Sequence, residues 1–276
     1  MKYKKLLIIL CSIVGAIILC VILSFTLFRL KTVELNFKND TTIYASENSK
    51  QAVIDSAGFS FKKPIFSINK SKIEKTLEKE NSFLKIINIE TVFPNKIVVH
   101  CAQRELLYCI EDSDMYYYCD EQLKLLEDPI SKNSEFVVKP SDNVVLLKNV
   151  VVSNKDANKG EFLTLSNSQD IIKNIPLAFA YNNKTISDIC AMFTSIELGY
   201  GSDYYTRLNE AHLIFETRDG FKIKIGFAKK HLVQKLNLML SLVPNCVEYY
   251  KTHMLIIELN PIDVSAKPHI YAQKLN

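Results

Sequence analysis

The chain has no tryptophan and only seven glycines among its 276 residues. No glycine belongs to a GxGxxG or GxxxxGK[ST] loop, so the backbone N–H cradle used in nucleotide chemistry is missing. The nearest approach, Gly199-Tyr200-Gly201, reads as a helix-ending turn. Also missing are HExxH, the GxSxG elbow and the SxxK nucleophile pattern. The five histidines (His100, His212, His231, His253 and His269) are scattered. Only His100 adjoins a cysteine, Cys101, and neighbours on a strand point to opposite faces, which keeps them off one metal. The acid pairs Glu111-Asp112 and Glu127-Asp128 lie in turn-like contexts and read as solvated surface. No catalytic, cofactor-binding or metal-ligating residue is assigned. The expectation is a protein that is not an enzyme, with no cofactor and no small-molecule substrate.

Seven cysteines are present, but no CxxC. Cys11 and Cys20 fall in an apolar run. Cys101, Cys109, Cys119, Cys190 and Cys246 are odd in number and widely spaced, and read as buried thiols acting as small apolar residues. A bridge, if formed, would join Cys101 to Cys109 or Cys109 to Cys119, which lie near predicted strands. A basic field is lacking too. The net charge is +4, and four of the 34 bases (Lys2, Lys4, Lys5 and Arg29) precede residue 31 without any acid, leaving 30 bases against 30 acids. Nucleic-acid binding therefore loses its electrostatic support.

What is present is a long hydrophobic run. Residues 6–28 are 23 residues without a charge, against the roughly 20 a helix needs to cross a bilayer core of about 30 Å. Lys2, Lys4 and Lys5 before it favour a cytoplasmic N-terminus. A cleaved signal peptide has a shorter run, about 7–15 residues, and an exit of small residues that Leu23-Ser24-Phe25-Thr26 does not supply. A permanent anchor is expected: a cytoplasmic tail over 1–5, a transmembrane helix over 6–28, and everything from Lys31 outside.

Beyond the anchor, residues 31–37 alternate Val33, Leu35 and Phe37 with polar residues, a strand pattern. Residues 48–57 carry Ala52, Val53 and Ala57 at helical spacing, with Gly58 as the stop. A second helix follows a Ser71-x-x-Glu74 capping box, with Ile73 and Leu77 on its apolar stripe. Ile87 and Ile89 mark one strand, Ile97, Val99 and Cys101 the next, with Pro94-Asn95 turning between them. The order β-α-α-β-β over residues 31–104 resembles a POTRA domain.

Past Glu105 the pattern is mostly β. Strand-like runs occupy residues 116–119, 136–138 and 144–152. A helix is expected over 185–197, on Ile189, Met192, Phe193 and Ile196. A hairpin spans 211–227 across Arg218-Asp219-Gly220. A second helix covers 229–243, with Leu232, Leu236, Met239, Leu240 and Val243 on its stripe and Pro244-Asn245 at its end. Residues 247–250 and 254–259 read as closing strands. The fold class is α+β: an N-terminal transmembrane helix, a POTRA-like domain over 31–104, and over 105–276 a mostly antiparallel β domain with two helices.

Several of these stretches resemble the FtsQ/DivIB family of membrane-anchored bacterial cell-division proteins. In LKIINIETVFPNKIVVHCAQRELLYCI, Phe93, Pro94 and Arg104 match the family's strand–turn–strand signature; Gln103 stands where Glu is usual and Leu106 where Pro is usual. In YYYCDEQLKLL, Asp120 matches, while Leu123 occupies the usual Gly position. GFKIKIGFAKKHLVQKLNLMLSLV followed by MLIIELN is similar to the family's closing strands and Lys-Leu helix. The resemblance implies a single-pass type II protein of the bacterial cell membrane at the division septum. It implies a divisome scaffold that docks FtsB/DivIC-like and FtsL-like partners outside the membrane to coordinate septal wall synthesis. Docking would use Glu258, Leu259, Asn260, Pro261, Ile262, Asp263, Val264, Ser265 and Ala266, by addition of a partner strand. Pro261 suits an edge or a strand's end. The alternatives are a POTRA-containing envelope export or assembly component, whose usual membrane barrel has no sequence signature here, and a wall-modifying enzyme, for which no catalytic constellation is found.

Overall fold

A computed structural model describes residues 2–38, 43–133, 143–166, 168–202, 209–226, 228–229, 231–242, 253–258 and 269–274. The chain divides into two compact units, Met1–Arg104 and Glu105–Asn276. The first unit opens with α1 (Lys2–Thr26), a helix of 25 residues. Leu10, Ile13, Ile17, Ile18 and Phe25 on it are exposed. Among the described residues, no helix is long and apolar enough to cross a membrane. The expected span at 6–28 is thus not supported by the fold and rests on the sequence.

Next come β1 (Thr32–Phe37), α2 (Glu47–Ser56), a 3₁₀ turn (Ile65–Ser67), α3 (Lys70–Glu80), β2 (Leu84–Val92) and β3 (Lys96–Gln103). This is the β-α-α-β-β order expected. The sheet order is β1-β3-β2, with β1 parallel and β2 antiparallel to β3. Ile97, Val99 and Cys101 are buried with Leu35, Val53, Ile73 and Leu77 in one core, as a period of two requires. The start of α2 is capped by the Ser46 hydroxyl, which accepts from Ser49 N at 3.1 Å. Its stop is Gly58, at φ +67°.

Two local expectations fail here. The cap of α3 is Asn69, whose side chain accepts from Lys72 N at 3.0 Å, not Ser71; asparagine is an N-cap of the first rank, so the helix starts earlier. Ile87 and Ile89 do not share a face either. The register of β2 shifts between Ile86 and Asn88, and this irregularity leaves Ile87 52% exposed while Ile89 is buried.

The second unit holds β4 (Tyr108–Asp112), β5 (Met115–Cys119), β6 (Ile130–Ser131), β7 (Val145–Lys148), α4 (Gln169–Tyr181), α5 (Ile186–Met192), β8 (Phe193–Ser202), β9 (Asn209–Thr217), β10 (Lys222–Ile225), α6 (Leu232–Leu242), β11 (His253–Glu258) and β12 (His269–Lys274). They build one nine-stranded sheet, β12-β11-β10-β9-β8-β7-β4-β5-β6. Pairing is mostly antiparallel, but β4–β7, β7–β8 and β10–β11 are parallel. The strand runs expected at 136–138 and 247–250 lie outside the described residues, as does Cys246.

Three described helices replace the two expected, because α4 went unread. Its Ile171, Ile172, Ile175, Ala178 and Phe179 are all buried, a helical spacing that Pro176 obscures. A proline inside a helix removes the donor for the carbonyl four residues back. That carbonyl belongs to Ile172, and the buried Tyr108 hydroxyl donates to it instead, at 3.3 Å. The helix expected over 185–197 is also too long. It starts at a capping box of Thr185 and Asp188 but ends at Met192. From Phe193 the chain pairs with both β7 and β9, and pairing on two sides overrides helical spacing. Gly199-Tyr200-Gly201 is therefore inside β8, not a turn. Gly199 faces His212 across the ladder, where a Cβ would collide with the imidazole ring. The hairpin across Gly220 forms as expected, with Gly220 at φ +85°.

Tyr108→Phe should lower stability by about 1–3 kcal/mol, the cost of an unsatisfied buried carbonyl. In a Pro176→Ala background the restored N–H reaches Ile172 O, so the same substitution should cost clearly less. Urea midpoints for the two singles and the double measure this coupling; strictly additive costs would refute the assignment.

Candidate functional site: the outer edge of the large sheet

The edge is assembled from a β-α-β crossover. β10 contributes Ile223 and Ile225 to the core, β11 contributes Leu255 and Ile257, and α6 covers them with Leu232, Leu236 and Met239. Parallel strands cannot be joined by a hairpin, so α6 is the obligatory connection between β10 and β11. Lys235 on α6 is fully buried, and its Nζ donates to Gly226 O at 2.6 Å. Gly226 N in turn donates to Ile257 O at 3.0 Å. A lysine thus ties the helix to the end of β10 and, through Gly226, to β11. Asn182, the residue capping the C-terminus of α4, adds a second tie, donating to Asn237 Oδ1 at 2.5 Å.

β11 is not the edge. β12 pairs antiparallel with it from His253↔Lys274 to Glu258↔His269, and among the described residues no strand lies beyond β12. Ile270 on β12 is 42% exposed. The opposite end of the sheet is β6, of only two residues, against six in β12. Sequence reading missed β12. Ile270 and Ala272 carry its only alternating signal, next to the turn-prone Lys267-Pro268. Of the expected docking residues, Glu258 ends β11. Leu259, Asn260, Pro261, Ile262, Asp263, Val264, Ser265 and Ala266 lie outside the described residues, between two strands whose facing ends are Glu258 and His269.

The family-signature residues sit elsewhere and hold structure. Phe93-Pro94 is a cis peptide in the β2–β3 turn. Arg104 is buried; its guanidinium donates to Leu84 O at 3.0 Å and to both Glu78 oxygens at 3.1 Å. Its backbone N–H donates to Phe83 O at 2.7 Å. Asp120 is buried as well, and Oδ1 accepts from Gln122 N and Lys124 N, both at 2.8 Å. This side-chain-closed turn puts Leu123 at φ +66°, a left-handed conformation that glycine adopts without cost. Leu123 holds it because its side chain is fully buried in the core.

Among the described residues, four thiols are buried and held protonated. Burial pushes Cys101 and Cys109 up to about 12. It lifts Cys190 to about 11, against the lowering effect of Arg218, and Cys119 well above the ordinary thiol value. All four are protonated at neutral pH and unreactive. They are also free. Cys119 pairs with Tyr108 and Cys109 with Tyr118, so Cys109 and Cys119 belong to separate cores on opposite faces of the sheet. That geometry forbids a bridge between them. A cavity of about 750 Å³ is lined by Cys190, Ser187, Thr194 and Arg218, but Arg218 is spent there on the end of α5, with Nε donating to Cys190 O at 2.6 Å. Among the described residues no group of three or more His, Cys, Asp or Glu could hold a metal ion.

Comparison with known proteins adds two findings. Residues 45–102 match the family model described as POTRA domain, FtsQ-type. The chain is also similar to a cell division protein DivIB of Clostridium tetani (strain Massachusetts / E88), 29% identical over 137 residues. That match takes in 49% of this chain and 44% of the relative, so the chain spans less than half of the curated relative's length.

Lys235→Met keeps the volume on α6 but removes the donor to Gly226 O. Stability should fall by about 1–3 kcal/mol, read as a lower urea midpoint at unchanged slope. A raised midpoint would show that desolvation of the ammonium outweighs its hydrogen bond.

Proposed function

We propose that this chain, whose FtsQ-type POTRA domain and DivIB similarity support an FtsQ/DivIB-family cell-division protein, is a non-enzymatic scaffold of the bacterial septum. It sits in the cell membrane as a single-pass type II protein, anchored by the uncharged run 6–28, most of which lies in α1, with the rest of the chain from Lys31 outside. There it docks FtsB/DivIC-like and FtsL-like partners and coordinates them with wall synthesis.

The observation that carries the docking reading is the sheet edge. β12 is a six-residue edge strand, long enough for a partner strand to continue the ladder through backbone hydrogen bonds. β6 is too short for that. Residues 259–266 follow β11 directly in the chain and would supply side chains to the same interface. Ile262 and Val264, two residues apart, would share one face if that segment is extended. The buried Lys235 contact and the β10–α6–β11 crossover keep the platform under this edge rigid, which lowers the ordering cost of binding.

Ile262→Lys or Val264→Lys should weaken capture of a purified FtsB/DivIC-type extracytoplasmic domain by about 2 kcal/mol or more, the scale of an interface hot spot. The circular dichroism spectrum should stay unchanged. A folded variant that binds at full strength removes this segment from the interface. In dividing cells, the full chain with a small N-terminal tag should form a midcell band that appears with constriction; a uniform membrane signal from intact protein would count against the septal reading.

A further inference from the structure

We infer that the end of the POTRA domain next to α1 rests in the membrane–water interface, with Phe66 and Phe93 as lipid anchors; this depends on the membrane-anchor reading of α1. The helical bonding of α1 runs on to Leu27, whose N–H donates to Leu23 O at 2.8 Å. The residues directly after it are then bonded to two loops of the domain. Ile65 N donates to Phe28 O at 2.7 Å, Leu30 N to Lys63 O at 3.1 Å and Lys31 N to Asn95 O at 2.9 Å. Arg29 Nε donates to Phe61 O at 2.6 Å. No linker separates the helix from the domain.

Length makes this consequential. Phe28 is two residues past the last residue of α1, a reach of at most about 7 Å. The headgroup layer on each side of the hydrocarbon core is itself about 5–8 Å deep. Phe28, and whatever packs on it, therefore stays within that layer. Two rings pack on it edge-on: Phe66 at 6.1 Å and Phe93 at 6.2 Å between centroids.

Those two rings are 60% and 65% exposed, on a domain with a complete core of its own. Water is a poor environment for them, whereas an interface accepts large apolar rings beside basic side chains. Arg29, Lys31, Lys62 and Lys63 are all exposed around them, and Glu34, the acid of β1, is paired with Lys96. A cleft of about 450 Å³ lies at the same level, lined by Phe25, Thr26, Arg29, Leu30, Lys31 and Phe61. Apolar walls with two cations suit a lipid headgroup phosphate and the start of its acyl chain. The partner of this surface is an anionic lipid leaflet.

The chain's lack of tryptophan makes a direct test available. F25W, F66W, F93W and K79W, each made in the full-length chain, carry one reporter apiece. Lys79 serves as the control, exposed on α3 and about 15 Å along that helix from Asn69. The probe is a vesicle of phosphatidylcholine and phosphatidylglycerol with or without bromine near the headgroup end of the acyl chains. Blue-shifted emission quenched by brominated lipid is expected from F25W, F66W and F93W, with K79W quenched only by acrylamide in the water. If F25W is quenched by lipid while F66W and F93W behave like K79W, the interfacial seat is overturned and the anchor stands. If F25W escapes lipid quenching, α1 is not in the bilayer and both readings fall.

Discussion

Parallel strand pairing is the constraint from which both units follow. A parallel pair cannot close with a tight turn; the chain must cross over the sheet to return in the same direction. In the first unit β1 lies parallel to β3, and α2, α3 and β2 all fall inside that return. In the second unit α4 and α5 lie between β7 and β8, and α6 between β10 and β11. The helices pack where they do because the strand order demands a crossover there. The edge at β12 exists because the last crossover brings β11 in parallel and a final antiparallel strand completes the sheet.

Buried polar groups then lock these connections. Arg104 closes the POTRA unit onto Glu78 and the backbone of β2. Asp120 supplies the acceptor for two amides of its own turn. Tyr108 satisfies the carbonyl that Pro176 leaves open, and Lys235 holds the mouth of the β10–β11 crossover. Each is costly to bury alone and stable only with its partner. The residues that look most conspicuous in the sequence are therefore closures of the fold.

The candidate site was partly legible. The helix bearing Leu232, Leu236 and Met239 was plain from its stripe, and residues 254–259 from their run of apolar, strand-forming residues. That this strand would be covered by another could not be read, because Ile270 and Ala272 offer too short a pattern beside Lys267-Pro268. The edge moved outward by one strand as a result. Pro176 hid α4 in the same way, since a proline argues against a helix unless some distant donor repairs it.

What the sequence determined by itself is whatever depends on near neighbours: the uncharged run at 6–28, the β-α-α-β-β order, the Gly58 and Gly220 stops, and the stripe of α6. These rest on periods of two and 3.6 and on residues whose backbone preferences act locally. The tertiary structure alone decided where α5 yields to β8, which face Ile87 takes, why a leucine holds a left-handed turn at 123, and which strand ends the sheet. In each case a contact far along the chain outweighs a local preference of about 1 kcal/mol or less, and such contacts exist only once the sheet has formed.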